Sequence, residues 1–218
     1  DNGGFMAAWS GGVNDLRIWF QKYDETLTEL SAKIDVTSNA SKENPAAVEL
    51  SNGNVVVVWE NINTNNVEYQ IHNSLNSPFA SGIATQKNTV PNYFSHREPE
   101  IVDLENGNFL ISEKLVLDVG GTYERIEYVG FRMYDYDGNP QSNQFYHHFP
   151  VVKVGNDRSN QIIALENDTV ATALTLGEKN YVGENGWVQN NEITIQAYIL
   201  DTVTQNGIVT DLFSLDNF

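Results

Sequence analysis

No cysteine occurs among the 218 residues, which excludes disulfides and thiolate metal sites and leaves a buried core to hold the chain together. Basic residues are scarce too: 12 Lys and Arg stand against 29 Asp and Glu, for a net charge of −17. So acidic a surface repels nucleic-acid phosphates and anionic membranes, and neither is an expected partner. No apolar run approaches the length that spans a bilayer, so no membrane insertion is expected. The chain starts Asp1-Asn2-Gly3-Gly4, without the basic start and apolar stretch of a signal peptide. A Gly-x-Ser-x-Gly elbow and a phosphate-binding loop are missing. The histidines show no metal-ligand spacing, since His147 and His148 are neighbours and neighbours on a strand face opposite ways. Carboxylates such as Glu60, Glu113, Glu127 and Glu184 stand near turns, where a pair could act on a glycoside. In so acidic a chain such pairs arise by chance, and the expectation is that this protein is not an enzyme.

What the chain has instead is internal repetition. Pro45-Ala-Ala-Val-Glu-Leu50-Ser-Asn-Gly53-Asn-Val-Val-Val-Val-Trp59 returns as Pro99-Glu-Ile-Val-Asp-Leu104-Glu-Asn-Gly107-Asn-Phe-Leu-Ile-Ser-Glu113. A weaker copy is Asn160-Gln-Ile-Ile-Ala-Leu165-Glu-Asn-Asp168, and the chain opens partway through another, Asp1-Asn-Gly3-Gly-Phe-Met-Ala-Ala-Trp9. A second motif follows each: Phe20-Gln-Lys-Tyr23, Tyr69-Gln-Ile-His72, Phe131-Arg-Met-Tyr134 and Ile195-Gln-Ala-Tyr198. With Gly3, Gly53, Gly107 and Asp168 as markers, the units recur every fifty to sixty residues or so, a period in or a little above the range of propellers and other repeat arrays. The approximate units are 1–44, 45–98, 99–159 and 160–218.

Each unit reads as four strands, A to D. A short apolar stretch, Asn-Gly and a β-branched run form a hairpin signal, and Asn52-Gly53 and Asn106-Gly107 are expected as type I′ turns. Partial alternation in Leu16–Tyr23 and Asn191–Tyr198 gives strand C, and Asp137-Gly138 and Asn206-Gly207 punctuate the way to strand D. The first unit lacks strand A, so fifteen strands are expected. In the first unit Leu27, Leu30 and Ile34 are also spaced like a helical face with a Thr26/Glu29 capping box. The other units carry Gly, Pro and Asn there and favour a turn and a D strand. The fold class is all-β, a propeller-like array of about four four-stranded blades; a two-sheet β-sandwich is the alternative. The recurring Trp9 and Trp59, and Tyr23, Tyr134 and Tyr198, read as core rings that cement blade to blade, with His72 taking the Tyr place in a packing role.

The motif Pro-x-x-Val-x-Leu-x-Asn-Gly-x-Val-x-Val-x-Trp, followed by aromatic-Gln-x-Tyr-Asp, resembles the β-propeller-like repeats of large secreted bacterial surface and RTX-type adhesin proteins. The likeness extends over most of the chain and is best in the second unit and the front of the third. It implies a secreted or cell-surface module, adhesive or structural, beside calcium-binding modules. Apart from the resemblance, glycans and neighbouring copies of the protein are the partners to consider. Two candidate sites come from the residues themselves. The units differ most between strands B and C, and the fourth carries Tyr181, Glu184, Asn185, Trp187 and Gln189 in its long insertion, read as a loop. Flat rings stack on sugar faces while amides and carboxylates bind hydroxyls, so carbohydrate binding there is the alternative function. A polysaccharide-acting glycosidase is a further one. Asp135, Asp137 and Asn139 alternate around a Gly in a spacing that could wrap Ca2+ with oxygens, and an ordinary turn explains them as well.

Overall fold

The computed structural model describes residues 4–12, 16–37, 41–84, 94–118, 125–141, 145–148, 160–166, 169–181, 187–201 and 206–215; beyond residue 171 the description is of the backbone and its pairing. Among the described residues fifteen strands form four antiparallel sheets, each in sequence order. The first sheet holds β1 (Phe5–Gly11), β2 (Arg17–Tyr23) and β3 (Ile34–Asp35). The second holds β4 (Lys42–Glu49), β5 (Val55–Asn61), β6 (Asn66–His72) and β7 (Pro78–Ile83). The third holds β8 (Phe94–Asp103), β9 (Asn108–Asp118), β10 (Arg125–Asp135) and β11 (Phe145–His148). The fourth holds β12 (Asn160–Ala164), β13 (Thr169–Tyr181), β14 (Trp187–Asp201) and β15 (Asn206–Leu215). Four sheets rather than two set the sandwich aside, and the array is propeller-like. Thr26 and Leu27 lie in a turn, not a helix: the Asp24 carboxylate accepts from the Thr26 and Thr28 N–H groups, and Leu27 has φ 66°.

Strand periodicity explains why β5 is apolar without a break from Val55 to Trp59. Successive side chains face opposite ways, so Val55, Val57 and Trp59 meet Ile18 and Phe20 of the first sheet. Val56 and Val58 meet Ile101, Phe109 and Ile111 of the third. The third sheet turns Val102, Leu104 and Leu110 toward Ile162 and Val170 of the fourth. A sheet buried on both faces needs a continuous hydrophobic run, and each fully buried Val contributes about 1.5–3 kcal/mol. Hydroxyls tie the second seam: Tyr69 donates to the Gly138 carbonyl at 2.9 Å and Tyr134 to that of Ala84 at 2.9 Å.

The A–B turns differ from the expected type. Gly53 and Gly107 have φ 83°, but Asn52 and Asn106 are not left-handed. Gly53 N–H bonds the Leu50 carbonyl, and Leu50 N–H bonds that of Asn54. This is the three-residue hairpin, a type I turn followed by an αL glycine. The Asn52 side chain accepts from Asn54 N–H, which supplies the local bond that makes Asn useful there.

The prolines mark bulges rather than strand starts. β4 begins before Pro45 and is irregular between Glu43 and Ala46; β8 begins before Pro99 and is irregular between Arg97 and Glu100. Proline has no N–H for a ladder and takes the unpaired place. The residues before them, Asn44 and Glu98, have φ 48° and 50°. In the fourth sheet Tyr198 pairs Thr172, whereas Tyr134 pairs Phe109. Relative to the marker this is a slip of two residues, which keeps the face while moving the ring along the strand.

His72 is 1% exposed. Its ring meets Phe20 edge-on at 5.0 Å, and its Nε2 has no hydrogen-bond partner. Burial holds its pKa below the ordinary 6.5 despite the Asn76 carbonyl near Nδ1. A depressed folded pKa means that the unfolded chain takes up the proton first. Stability is therefore whole above about 6.5 and is lost as pH falls toward the folded value. Urea unfolding at neutral pH and at about pH 5.5 is expected to show this loss in wild type and a smaller one in His72→Leu. Equal losses in both proteins would assign the acid limb to carboxylates alone.

Candidate functional site

The start of strand A, the B–C hairpins and the end of strand D lie at one end of each sheet; the A–B and C–D turns lie at the other. The B–C connections are where the repeat units vary most. At that end of the second sheet a pocket of about 380 Å³ opens, lined among others by Thr37, Lys42, Trp59, Asn61, Glu68 and Gln70. Hairpin register builds it: Asn61 pairs Asn66 and Trp59 pairs Glu68, so Trp59, Asn61 and Glu68 project from one face. Lys42, opposite Asn61 in β4, completes the group.

Glu68 is the centre of this group. Its Oε2 accepts from Lys42 Nζ at 2.8 Å and from Trp59 Nε1 at 3.0 Å, while its Oε1 accepts from Asn61 Nδ2. Burial pushes its pKa up, but the hydrogen bonds from Lys42, Asn61 and Trp59 and the Lys42 charge outweigh it, and the pKa lies below the ordinary carboxylate value. At neutral pH the carboxylate is ionised, suited to accept from a hydroxyl or to stabilise positive charge, and unsuited to give a proton.

A second polar group occupies the neighbouring seam. Glu113 holds the repeat place of Trp59, faces the second sheet and is 1% exposed. Its charge acts on Tyr134, whose pKa is raised first by burial. Arg132, on the same strand as Tyr134, donates to the Ala84 carbonyl at 3.3 Å. Across the bulges Asn44 Nδ2 donates to Glu60 Oε2 at 2.7 Å and Lys114 Nζ to Glu98 Oε1 at 3.2 Å. A larger cleft of about 850 Å³ lies at the opposite end, between the start of β1 and the end of β4. Its ion pair, Lys22–Glu49 at 2.9 Å, is partly open to solvent, and Asp103 on its wall accepts from the Ser51 N–H and hydroxyl and from the Tyr136 hydroxyl.

The residues named from sequence fall elsewhere. Glu184 and Asn185 lie outside the described residues, as do the side chains of Tyr181, Trp187 and Gln189. Their backbone corrects the loop reading: Tyr181 pairs Trp187 and Lys179 pairs Gln189, so most of the insertion forms the arms of a long hairpin, with an irregularity between Gly177 and Lys179. Asp135, Asp137 and Asn139 form the C–D turn with Gly138 at φ 86°. The Asp135 carboxylate accepts from the Asp137 and Asn139 N–H groups and from the Asn139 and Gln141 side chains. Burial raises its pKa, and these bonds bring it below the ordinary value. Among the described residues no group of three or more His, Asp or Glu is disposed to hold a metal ion.

No protein-family model matches this chain, and no curated protein is similar to it. Among solved structures it is similar to the GH43 endo-arabinanase from Bacillus licheniformis, at 16% identity and a TM-score of 0.48, over 94% of this chain and 73% of that one. The match is an enzyme, and on that finding the expectation that this chain is not one is withdrawn. It is no adhesin, so the resemblance to adhesin-type repeats gains nothing from it. At that identity and TM-score no residue role carries over.

Proposed function

We propose that this protein acts on polysaccharide as a glycosidase and that the Glu68 pocket takes a sugar unit. The observation that carries the reading is the chemistry of that pocket: amides from Asn61 and Gln70 and a carboxylate kept ionised by Lys42, beside a Trp59 whose ring is buried in the seam, all at the end where the hairpins vary. Amides and carboxylates are the groups that hydrogen-bond the hydroxyls of a pyranose or furanose. Glycoside cleavage needs one carboxylic acid to protonate the leaving oxygen and a second carboxylate to activate water or attack the anomeric carbon. Glu68 fits the second role by its ionisation. The proton donor has to come from a further acidic residue at this end; Glu60 and Glu113 face the neighbouring seam on the other side of the second sheet and are not part of the lining of this pocket.

The test is reducing-sugar release from a panel of plant and microbial polysaccharides, with Gln70→Ala as the probe variant because it lines the pocket without carrying the ion pair. Cleavage of one polysaccharide class, with a KM raised about tenfold in the variant (about 1.4 kcal/mol), is the expected result. A panel with no cleavage, or a variant indistinguishable from wild type, would sink the proposal.

A further inference from the structure

The array uses one kind of interface three times and leaves half of it exposed at each end. In the second sheet Val55, Val57 and Trp59 bury against the sheet before. Phe5, Ala7 and Trp9 stand at the same places after the marker in β1, and no other sheet covers them among the described residues. Phe5 is 47% exposed and stacks on Tyr23 at 5.2 Å. Trp9 pairs Trp19 across the strands, with Lys33 Nζ over the Trp19 ring at 3.8 Å. At the other end the pattern is mirrored. Leu50 is buried in the seam with the sheet that follows, and Val48 packs against it. Val102 and Leu104 do the same one sheet later. Ile163 and Leu165 hold the equivalent places in the fourth sheet, yet Ile163 is 59% exposed and Leu165 is also exposed.

We propose that a second copy of this chain docks head to tail, seating its Ile163 and Leu165 face on the aromatic face of Phe5, Trp9, Trp19 and Tyr23. The occupant follows from continuity with the seams between the second and third and the third and fourth sheets: aliphatic side chains from strand A of one sheet face the sheet that follows, and each exposed face supplies one half. Closure of the chain on itself does not account for the pair, because both faces are open in the same molecule. Apolar patches of this kind rarely stay bare on a soluble protein. The contact joins two different surfaces, so it is heterologous and can propagate.

Analytical ultracentrifugation over a concentration series reads it, using wild type, Phe5→Glu and Ile163→Glu. Wild type is expected to reach at least twice the monomer mass as concentration rises, and each variant is expected to stay monomeric. An equimolar mixture of the two variants is expected to form a heterodimer and nothing larger, since each keeps one sound face. Both positions are exposed, so near-UV circular dichroism should match wild type; where it does not, Phe5→Ser and Leu165→Ser replace them. Wild type that stays monomeric throughout, or a mixture that stays monomeric, overturns the proposal. So does a Phe5→Glu variant that assembles normally but no longer binds the polysaccharide that wild type binds.

Discussion

Phe109→Ala is expected to lower the unfolding free energy by about 3–5 kcal/mol, a large part of the roughly 5–15 kcal/mol that holds a folded domain together. Phe109 is wholly buried in the seam between the second and third sheets. Its ring stacks on Tyr134 at 5.3 Å and meets Tyr69 edge-on at 6.3 Å. Truncation loses the transfer energy of the ring and leaves a cavity whose walls cannot close. Tyr69 is held by Gly138 and Tyr134 by Ala84 through their hydroxyls. In a repeat array each sheet is stabilised by its neighbours, so a weakened central seam lowers the cooperativity between the two halves as well. A urea titration is expected to show a lower midpoint and a shallower or biphasic transition; Phe109→Leu should retain a single transition. A loss under about 1 kcal/mol would mean that the seam repacks.

Much of this fold could be read from sequence because its signals are local. Asn-Gly followed by Val55–Val58 announces a hairpin whatever surrounds it, and the marker periodicity fixed how many sheets to expect. The turn type was not legible, since Asn-Gly serves both the two-residue turn and the three-residue turn that uses only the glycine's positive φ. The first residues of β4 and β8 were missed because Pro45 and Pro99 look like boundaries, whereas a bulge lets a strand run past them. That omission hid Lys42. Glu68 was missed for a different reason: its meaning lies in the partner across the hairpin. Counting back from the Asn61–Asn66 closure puts Glu68 opposite Trp59, a signal the sequence contained. The Gly and Asn content of the long insertion of the fourth unit resembles a loop, while the end of one strand, Thr169–Tyr181, and the start of the next, Trp187–Asp201, carry most of it.

The Glu68 centre gives the other large effect. Glu68→Gln leaves the Lys42 ammonium, whose side chain is 7% exposed, in a pocket with no counter-charge. Removing one partner of such a pair is expected to cost about 2–4 kcal/mol, near the lower end of what fully buried pairs show. The double variant Lys42→Met/Glu68→Gln removes both charges and keeps one of the two acceptors, the Gln oxygen serving either Trp59 Nε1 or Asn61 Nδ2, which bond different oxygens of Glu68. It is therefore expected to be more stable than Glu68→Gln alone, with a coupling of about 1–3 kcal/mol in the double-variant cycle. The pH dependence has a fixed sign. Glu68 has a folded pKa below 4.5, so its contribution is whole above that value and is lost as pH falls through the folded pKa. That part of the acid limb should be missing from the double variant. Additive single and double effects, or an acid limb unchanged in the double variant, would show that the ion pair neither stabilises the pocket nor keeps Glu68 ionised for a sugar hydroxyl. The stability measurement thus bears directly on the chemistry assigned to the site.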